Sequence, residues 1–142
     1  MKKNSIFIGA LVVLCSIALA APAGALSKKD WRKQVDNVCR QSQTLLNEDA
    51  STIPVDSTGN PSAADFSAFM NDVVKPNYTQ VIGSIKALPA PSSLKAKAKK
   101  MLAQLQKATN AISASITLDE LDKLFATPTK TAKKLGLKVC GQ

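Results

Sequence analysis

The chain of 142 residues contains no histidine. That absence removes the commonest general base, the commonest zinc ligand and the usual haem ligand together. Glycine is scarce and scattered, six residues in all, so there is no glycine-rich phosphate loop and no G-x-S-x-G nucleophile elbow. Aromatic residues make up only 4%, and none is interleaved with the lysine runs at 95–100 and 130–138. Stacking platforms for single-stranded nucleic acid need such aromatics, so no nucleic-acid partner is expected. Carboxylates are the one acid–base resource left. Asp119, Glu120 and Asp122 cluster at a predicted helix start, where negative charge favours the helix dipole. These absences point away from an enzyme and predict neither a cofactor nor a bound metal.

Long apolar runs are also missing, except at the N-terminus. Lys2 and Lys3 precede an uncharged apolar run from Ile6 to Ala20. Two small-residue sites follow, Ala18-Leu19-Ala20 and Ala23-Gly24-Ala25. Positive start, apolar middle and A-x-A end are the three parts of a secretory signal. Pro22 breaks the apolar helix just before the second site, which favours cleavage after Ala25. An uncleaved anchor is the competing reading, but the run falls short of the ~20 apolar residues a spanning helix needs. Lipid attachment at Cys15 is disfavoured by Leu14 before it, where a small residue belongs. Residues 1–25 are therefore read as a signal peptide and 26–142 as one exported domain, extracellular or associated with the cell envelope.

Of the three cysteines, Cys39 and Cys140 remain after residue 25. An even count in an exported chain reads as a disulfide. Free thiols or a bond between chains are the alternatives. A bridge within the chain would join an early helix to the last residues. In the chain-entropy model, a closed loop of about 100 residues is worth at most about 4 to 5 kcal/mol. It would also leave no thiolate nucleophile.

The rest of the chain reads as helices. Ser27 and Asp30 have the spacing of a capping box. Trp31, Val35, Val38, Cys39, Ser42, Leu45 and Leu46 then recur at helical steps. Residues 49–61 are turn formers without periodicity. Ser62 and Asp65 open a second helix through Phe66, Phe69, Met70, Val73 and Val74. Its apolar stripe resumes past Pro76 at Tyr78, Val81, Ile82 and Ile85, which predicts one long helix kinked at Pro76. Ser92 or Ser93 is expected to cap a third helix, whose period continues through Ile112 and Ile116. Thr117 and Glu120 start a short fourth helix, and Thr127-Pro128 a final turn or two ending at Gly136. No stretch alternates like a strand. The expected fold is all-α: an antiparallel bundle of three main helices plus one or two short C-terminal helices, closed by one disulfide.

Charge is the most conspicuous surface feature. Lys and Arg number 19 against 10 Asp and Glu, a formal net charge of +9. Lys95, Lys97, Lys99 and Lys100 open the third helix, and Lys130, Lys133, Lys134 and Lys138 populate the tail. A solvated surface accounts for such lysines. The functional alternative is contact with an anionic envelope polymer, lipid headgroups or another envelope protein. For that contact the candidate residues are Lys95, Lys97, Lys99, Lys100, Lys130, Lys133 and Lys134. Trp31, Phe66, Phe69, Met70 and Tyr78 are read as core, with an apolar ligand cavity beside the interrupted helix as the alternative. Asn77-Tyr78-Thr79 matches a glycosylation acceptor but falls inside a predicted helix.

Several segments together resemble the small secreted helical-bundle proteins of Gram-positive bacterial envelopes. They are Trp31 with Cys39, Pro76 within the second helix, Leu88-Pro89-Ala90-Pro91, and Ala132…Leu135-Gly136-Leu137…Cys140-Gly141. The resemblance implies a disulfide-closed bundle and export, and carries no reaction or functional residue with it. The lipid-anchored members differ in having a usable lipobox. Signal cleavage after Ala25 and one internal disulfide predict an exported protein that begins at Leu26 and gains a pair of hydrogens on reduction. Intact mass spectrometry with and without reductant checks both.

Overall fold

The computed structural model describes residues 26–142. The expected signal peptide, with Cys15, lies outside the described residues. The fold is the expected all-α bundle. Helix α1 spans Lys28–Ala50, α2 Ala63–Phe69, α3 Lys75–Ala87, α4 Ser92–Asn110 and α5 Leu118–Leu135. Among the described residues, extended pairing is limited to an isolated bridge between Val55 and Pro61.

Local chemistry sets most of these boundaries. The Ser27 and Ser62 side chains accept from the backbone N–H of Asp30 and Asp65, capping α1 and α2. Thr117 and Glu120 form a complete capping box at the start of α5. The loop before α2 is organised by Asp56, whose Oδ1 accepts from the Thr58 and Asn60 backbone N–H groups. Gly59 completes that turn at φ +82°, a conformation open to glycine at no steric cost.

Pro76 lies within one long helix, as expected, and Pro128 does not begin a new one. Residues 63–87 run as one continuous helical rod, with a π-helical turn at Met70–Val74 between α2 and α3. There the Lys75 N–H donates to the Met70 carbonyl. The wider turn sits where the Pro76 ring would crowd the preceding turn, and it absorbs the donor that proline lacks. Pro128 lies inside α5, so the separate short helices expected at the C-terminus are one helix of 18 residues. Its apolar stripe (Leu121, Leu124, Phe125, Pro128, Ala132 and Leu135) continues across the proline, and packing outweighs one missing hydrogen bond.

Two expectations are corrected at α4. Neither serine caps it through its side chain; Pro91 occupies the N-cap position and Ser92 is already helical. The helix also stops at Asn110 instead of running to Ile116. Ile112 and Ile116 are buried all the same, held in the α4–α5 connection by core packing rather than by helical periodicity. The Lys75 ammonium donates to the Ile112 carbonyl at 3.3 Å, which serves one backbone group that a helix would have satisfied.

The interior is split in two. One cluster joins α1, α3, α4, α5 and the tail around Trp31, Val35, Ile85, Met101, Leu135 and Leu137. The other gathers Met70, Val74, Ile112 and Ile116, with Phe66, Phe69, Tyr78, Leu121 and Phe125 packed against them. Trp31 is fully buried, and among the described residues its indole N–H has no hydrogen-bond partner.

The last residues fold back across α1. Gly136 takes the left-handed conformation at φ +77°. The Leu137 N–H returns to the Ala132 carbonyl at 3.1 Å, and the Gly136 N–H to that of Lys133 at 2.9 Å. This is a Schellman stop. Arg32 Nε donates to the freed Leu135 carbonyl at 2.7 Å, placing a cation at the negative end of α5. One turn further along α1, the buried Asp36 carboxylate accepts from three successive backbone N–H groups. They are Lys138 at 3.0 Å, Val139 at 2.9 Å and Cys140 at 3.3 Å. Cys39 and Cys140 form the disulfide, with Cα atoms 5.4 Å apart. Asp36→Ala leaves three tail amides without their acceptor and is expected to destabilise the oxidised protein by about 2–3 kcal/mol, read as a lower urea midpoint. An unchanged midpoint would mean that water serves those amides equally well.

Candidate functional site

Two surfaces stand out once the helices are placed: a cleft beside the disulfide and a cationic face on the far side of α5.

The cleft follows from how the helices pair. α1 packs on α3, α3 on α4, and α4 on α5, while α1 and α5 hardly touch along their lengths. Only the tail closes the ring, at the end where Cys140 meets Cys39. The open seam is a cleft of about 360 Å³, within the range of about 300–1,000 Å³ that small-molecule sites occupy. It lies where the two core clusters meet. Leu46, Tyr78, Leu121 and Phe125 come from one side, and Val81, Ile85, Met101 and Ala132 from the other. The disulfide, Val139 and Gln142 wall one end. Gln43, Asp122, Ala126 and Thr129 lie along the helix flanks that border it.

Hydrogen bonds and stacking hold the lining in place. The Ser42 hydroxyl donates to the Asn77 side-chain oxygen, joining α1 to α3. That contact engages Asn77, so the glycosylation triplet belongs to a helix–helix contact. Tyr78 stacks on Phe125 with ring centroids 4.4 Å apart, linking α3 to α5. Burial pushes the Tyr78 phenol above its ordinary 10.0, because the charged form is disfavoured in an apolar setting. Of the residues weighed as a cavity lining, Tyr78 alone reaches the cleft; Trp31 and Met70 are core, and Phe66 and Phe69 pack on the second cluster.

The predicted lysines are all exposed, and the α4–α5 pairing decides which of them meet. The Thr131 hydroxyl donates to Gln104 Oε1 at 2.7 Å, which sets the antiparallel register of the pair. Lys97 and Lys100 stand seven and four residues before Gln104, on its side of α4, and Lys134 stands three after Thr131. These three gather along the outer α4–α5 seam, with Lys130 on the adjoining outward surface. Helical spacing sets Lys95 and Lys99 on the opposite flank of α4. Lys133 is turned away from the seam, with its stem against the tail: a Cβ at Gly141 would lie 2.9 Å from the Lys133 Cγ. No acidic residue occurs between Ser92 and Leu118 or after Asp122, so nothing within these segments neutralises the seam.

The carboxylates do structural work. Hydrogen bonds from the Thr117 backbone N–H, and then from its hydroxyl, hold Glu120 below the ordinary carboxylate range. Asp56 is held low mainly by the Thr58 hydroxyl and by the backbone N–H groups of Asn60 and Thr58. Both are exposed loop and cap residues. Among the described residues, no group of three or more Cys, Asp or Glu side chains could hold a metal ion. Asp36 was missed as a functional position in the sequence. The signal for it was spacing: Arg32, Asp36, Cys39 and Gln43 recur at i, i+4, i+7 and i+11 along one flank of α1, the flank that carries the disulfide.

No protein-family model, curated protein or solved structure matches this chain.

Tyr78 is the only tyrosine, so an alkaline absorbance titration reads it alone. Its midpoint is expected above 10.0. The sign follows from linkage: a folded-state value raised above the unfolded one gives stability that is present below about pH 10 and lost as pH rises through the folded value. A midpoint at the ordinary value would mean that water reaches the phenol freely.

Proposed function

We propose that this protein is a non-enzymatic binding protein of the cell envelope or extracellular space, and that it holds an anionic envelope polymer on the lysine seam of the α4–α5 pair. One observation carries this reading: Lys97, Lys100 and Lys134 gather on one outer seam within segments that hold no acidic residue. A solvated surface tends to mix charges of both signs. A one-sign seam focuses potential and draws a polyanion.

The shape of the surface favours a polymer over a membrane. Lys97 and Lys100 stand one turn apart near the start of α4, about 5 Å along the axis, with Lys134 across the seam. The exposed large apolar residues are Leu45, Val55 and Leu118. Leu118 starts α5, at the end of the pair away from Lys97 and Lys134, and Leu45 and Val55 belong to other elements. Among the described residues no large exposed apolar side chain stands beside the lysines to insert into lipid, as interfacial helices require.

Export is part of the same proposal, as is kinship with the small secreted helical bundles of Gram-positive envelopes. The signal-like N-terminus and a disulfide, which persists in oxidising compartments, support it. No helix among the described residues is long and apolar enough to cross a membrane, which is compatible with it.

Binding to a polyphosphate chain should weaken about tenfold at low salt in the Lys97→Gln, Lys100→Gln, Lys134→Gln variant, at roughly 0.5 kcal/mol per exposed lysine. Isothermal titration at two salt concentrations measures it. Lys95→Gln with Lys99→Gln, on the other flank, should cost less per charge. Unchanged binding at low salt sinks the proposal, and equal losses per charge in the two variants reduce it to net charge alone. Tighter binding to anionic vesicles than to polyphosphate would transfer the role to a membrane surface.

A further inference from the structure

We infer that the cleft between α1 and α5 is a second binding site, independent of the lysine seam, and that it takes a small neutral molecule with an apolar body and a single hydrogen-bonding end.

The first support is the missing helix seam. In a four-helix ring, apolar flanks facing each other normally interdigitate at close packing. Here α1 and α5 present Leu46, Leu121, Phe125 and Ala132 to a cleft of about 360 Å³ instead. Leaving such walls facing water is unfavourable by roughly 25 cal/mol per Å² of apolar surface. An apolar occupant removes that cost without moving either helix.

The second support is that the cleft is held open. At one end the tail is fixed to α1 by Asp36 and by the Cys39–Cys140 bond. That anchorage sets the spacing between α1 and the end of α5. On the floor, the Tyr78–Phe125 stack and the Ser42–Asn77 bond tie α3 to α5 and to α1. A preformed cavity binds with little ordering cost.

The third support is charge. The chain carries 19 basic residues, and none of the described ones lines the cleft. Asp122 on α5 is the only lining side chain charged at neutral pH, and it is exposed. An anionic ligand would lose hydration and find no cation. The amide and hydroxyl groups of Gln43, Thr129 and Gln142 suit a hydroxyl or amide end. On an ideal helical projection, the cleft flank of α5 (Asp122, Phe125 and Thr129) lies away from the flank of Lys130 and Lys134, so the two sites do not share residues.

The test uses purified protein with its disulfide intact and the neutral dye N-phenyl-1-naphthylamine. Saturable fluorescence enhancement at one dye per chain is expected. Ala126→Trp and Thr129→Trp place an indole over the cleft from partly or fully exposed positions, and each should weaken dye binding at least tenfold while circular dichroism keeps the helical signal. The Lys97, Lys100, Lys134 glutamine variant should bind dye as the parent does, so failure of the seam proposal leaves this one standing, and the reverse. In the parent protein 1-decanol should displace the dye severalfold better than decanoate at pH 8; this arm decides the matter if the tryptophan variants do not fold. Dye uptake that never saturates, or folded tryptophan variants that bind like the parent, overturns the site. Equal displacement by decanoate overturns the neutral-ligand assignment.

Discussion

One carboxylate joins the C-terminal tail to the helices. Asp36 is buried on α1 and accepts from three consecutive backbone N–H groups of the tail. Just past the Schellman turn at Gly136, those amides point inward and have no helix or sheet partner of their own. A carboxylate is well suited to them, because charge-assisted bonds are shorter and stronger than neutral ones. Arg32 one turn earlier takes the last carbonyl of α5, and Cys39 one turn later takes the tail covalently. Donor, acceptor and thiol thus sit at i, i+4 and i+7 on one flank of one helix. The disulfide lowers the chain entropy of the unfolded state, at a junction whose polar groups are already satisfied.

The two surfaces proposed for binding follow from that junction. Because the tail bridges α5 to α1 only at one end, the rest of the α1–α5 seam is left open, and the interior divides into two apolar clusters with a cleft at their meeting place. The same pairing of α4 with α5 that leaves α5 with little direct contact to α1 also brings Lys97 and Lys100 alongside Lys134. A neutral cleft and a cationic seam therefore lie on different flanks of one helix. The two surfaces call for different ligand chemistry, and neither requires a catalytic group.

Much of the fold was legible in the residues. The helix periods of α1 and of the 63–87 rod, the Thr117–Glu120 capping box and the Gly136 stop all carry local signals, and each is present in the structure. The failures were equally local in origin. Serines before α4 looked like caps because serine favours that position on average, while the chain used Pro91. Ile112 and Ile116 continued the helical period without being helical, since burial imposes apolar residues on a packed connection as well. Pro128 looked like a helix start because proline prefers the first turn, and the apolar stripe on both sides of it prevailed. Helical spacing already paired Lys95 with Lys99 and Lys97 with Lys100 on α4, but which of them meet the lysines of α5 was not legible, because that depends on the α4–α5 register.

The sequence by itself determined the class of fold, the pair of cysteines available to close it, the excess of positive charge and the poverty of catalytic side chains. These depend on composition and on short-range periodicity, which act within a few residues. The tertiary structure alone decided that Asp36 is a buried acceptor, that α1 and α5 leave a cleft between them, and which lysines of α4 meet those of α5. Each of those depends on the register between segments roughly thirty to a hundred residues apart. That register is set by packing and by hydrogen bonds such as Thr131 to Gln104 and the tail amides to Asp36, none of which leaves a periodic trace along the chain.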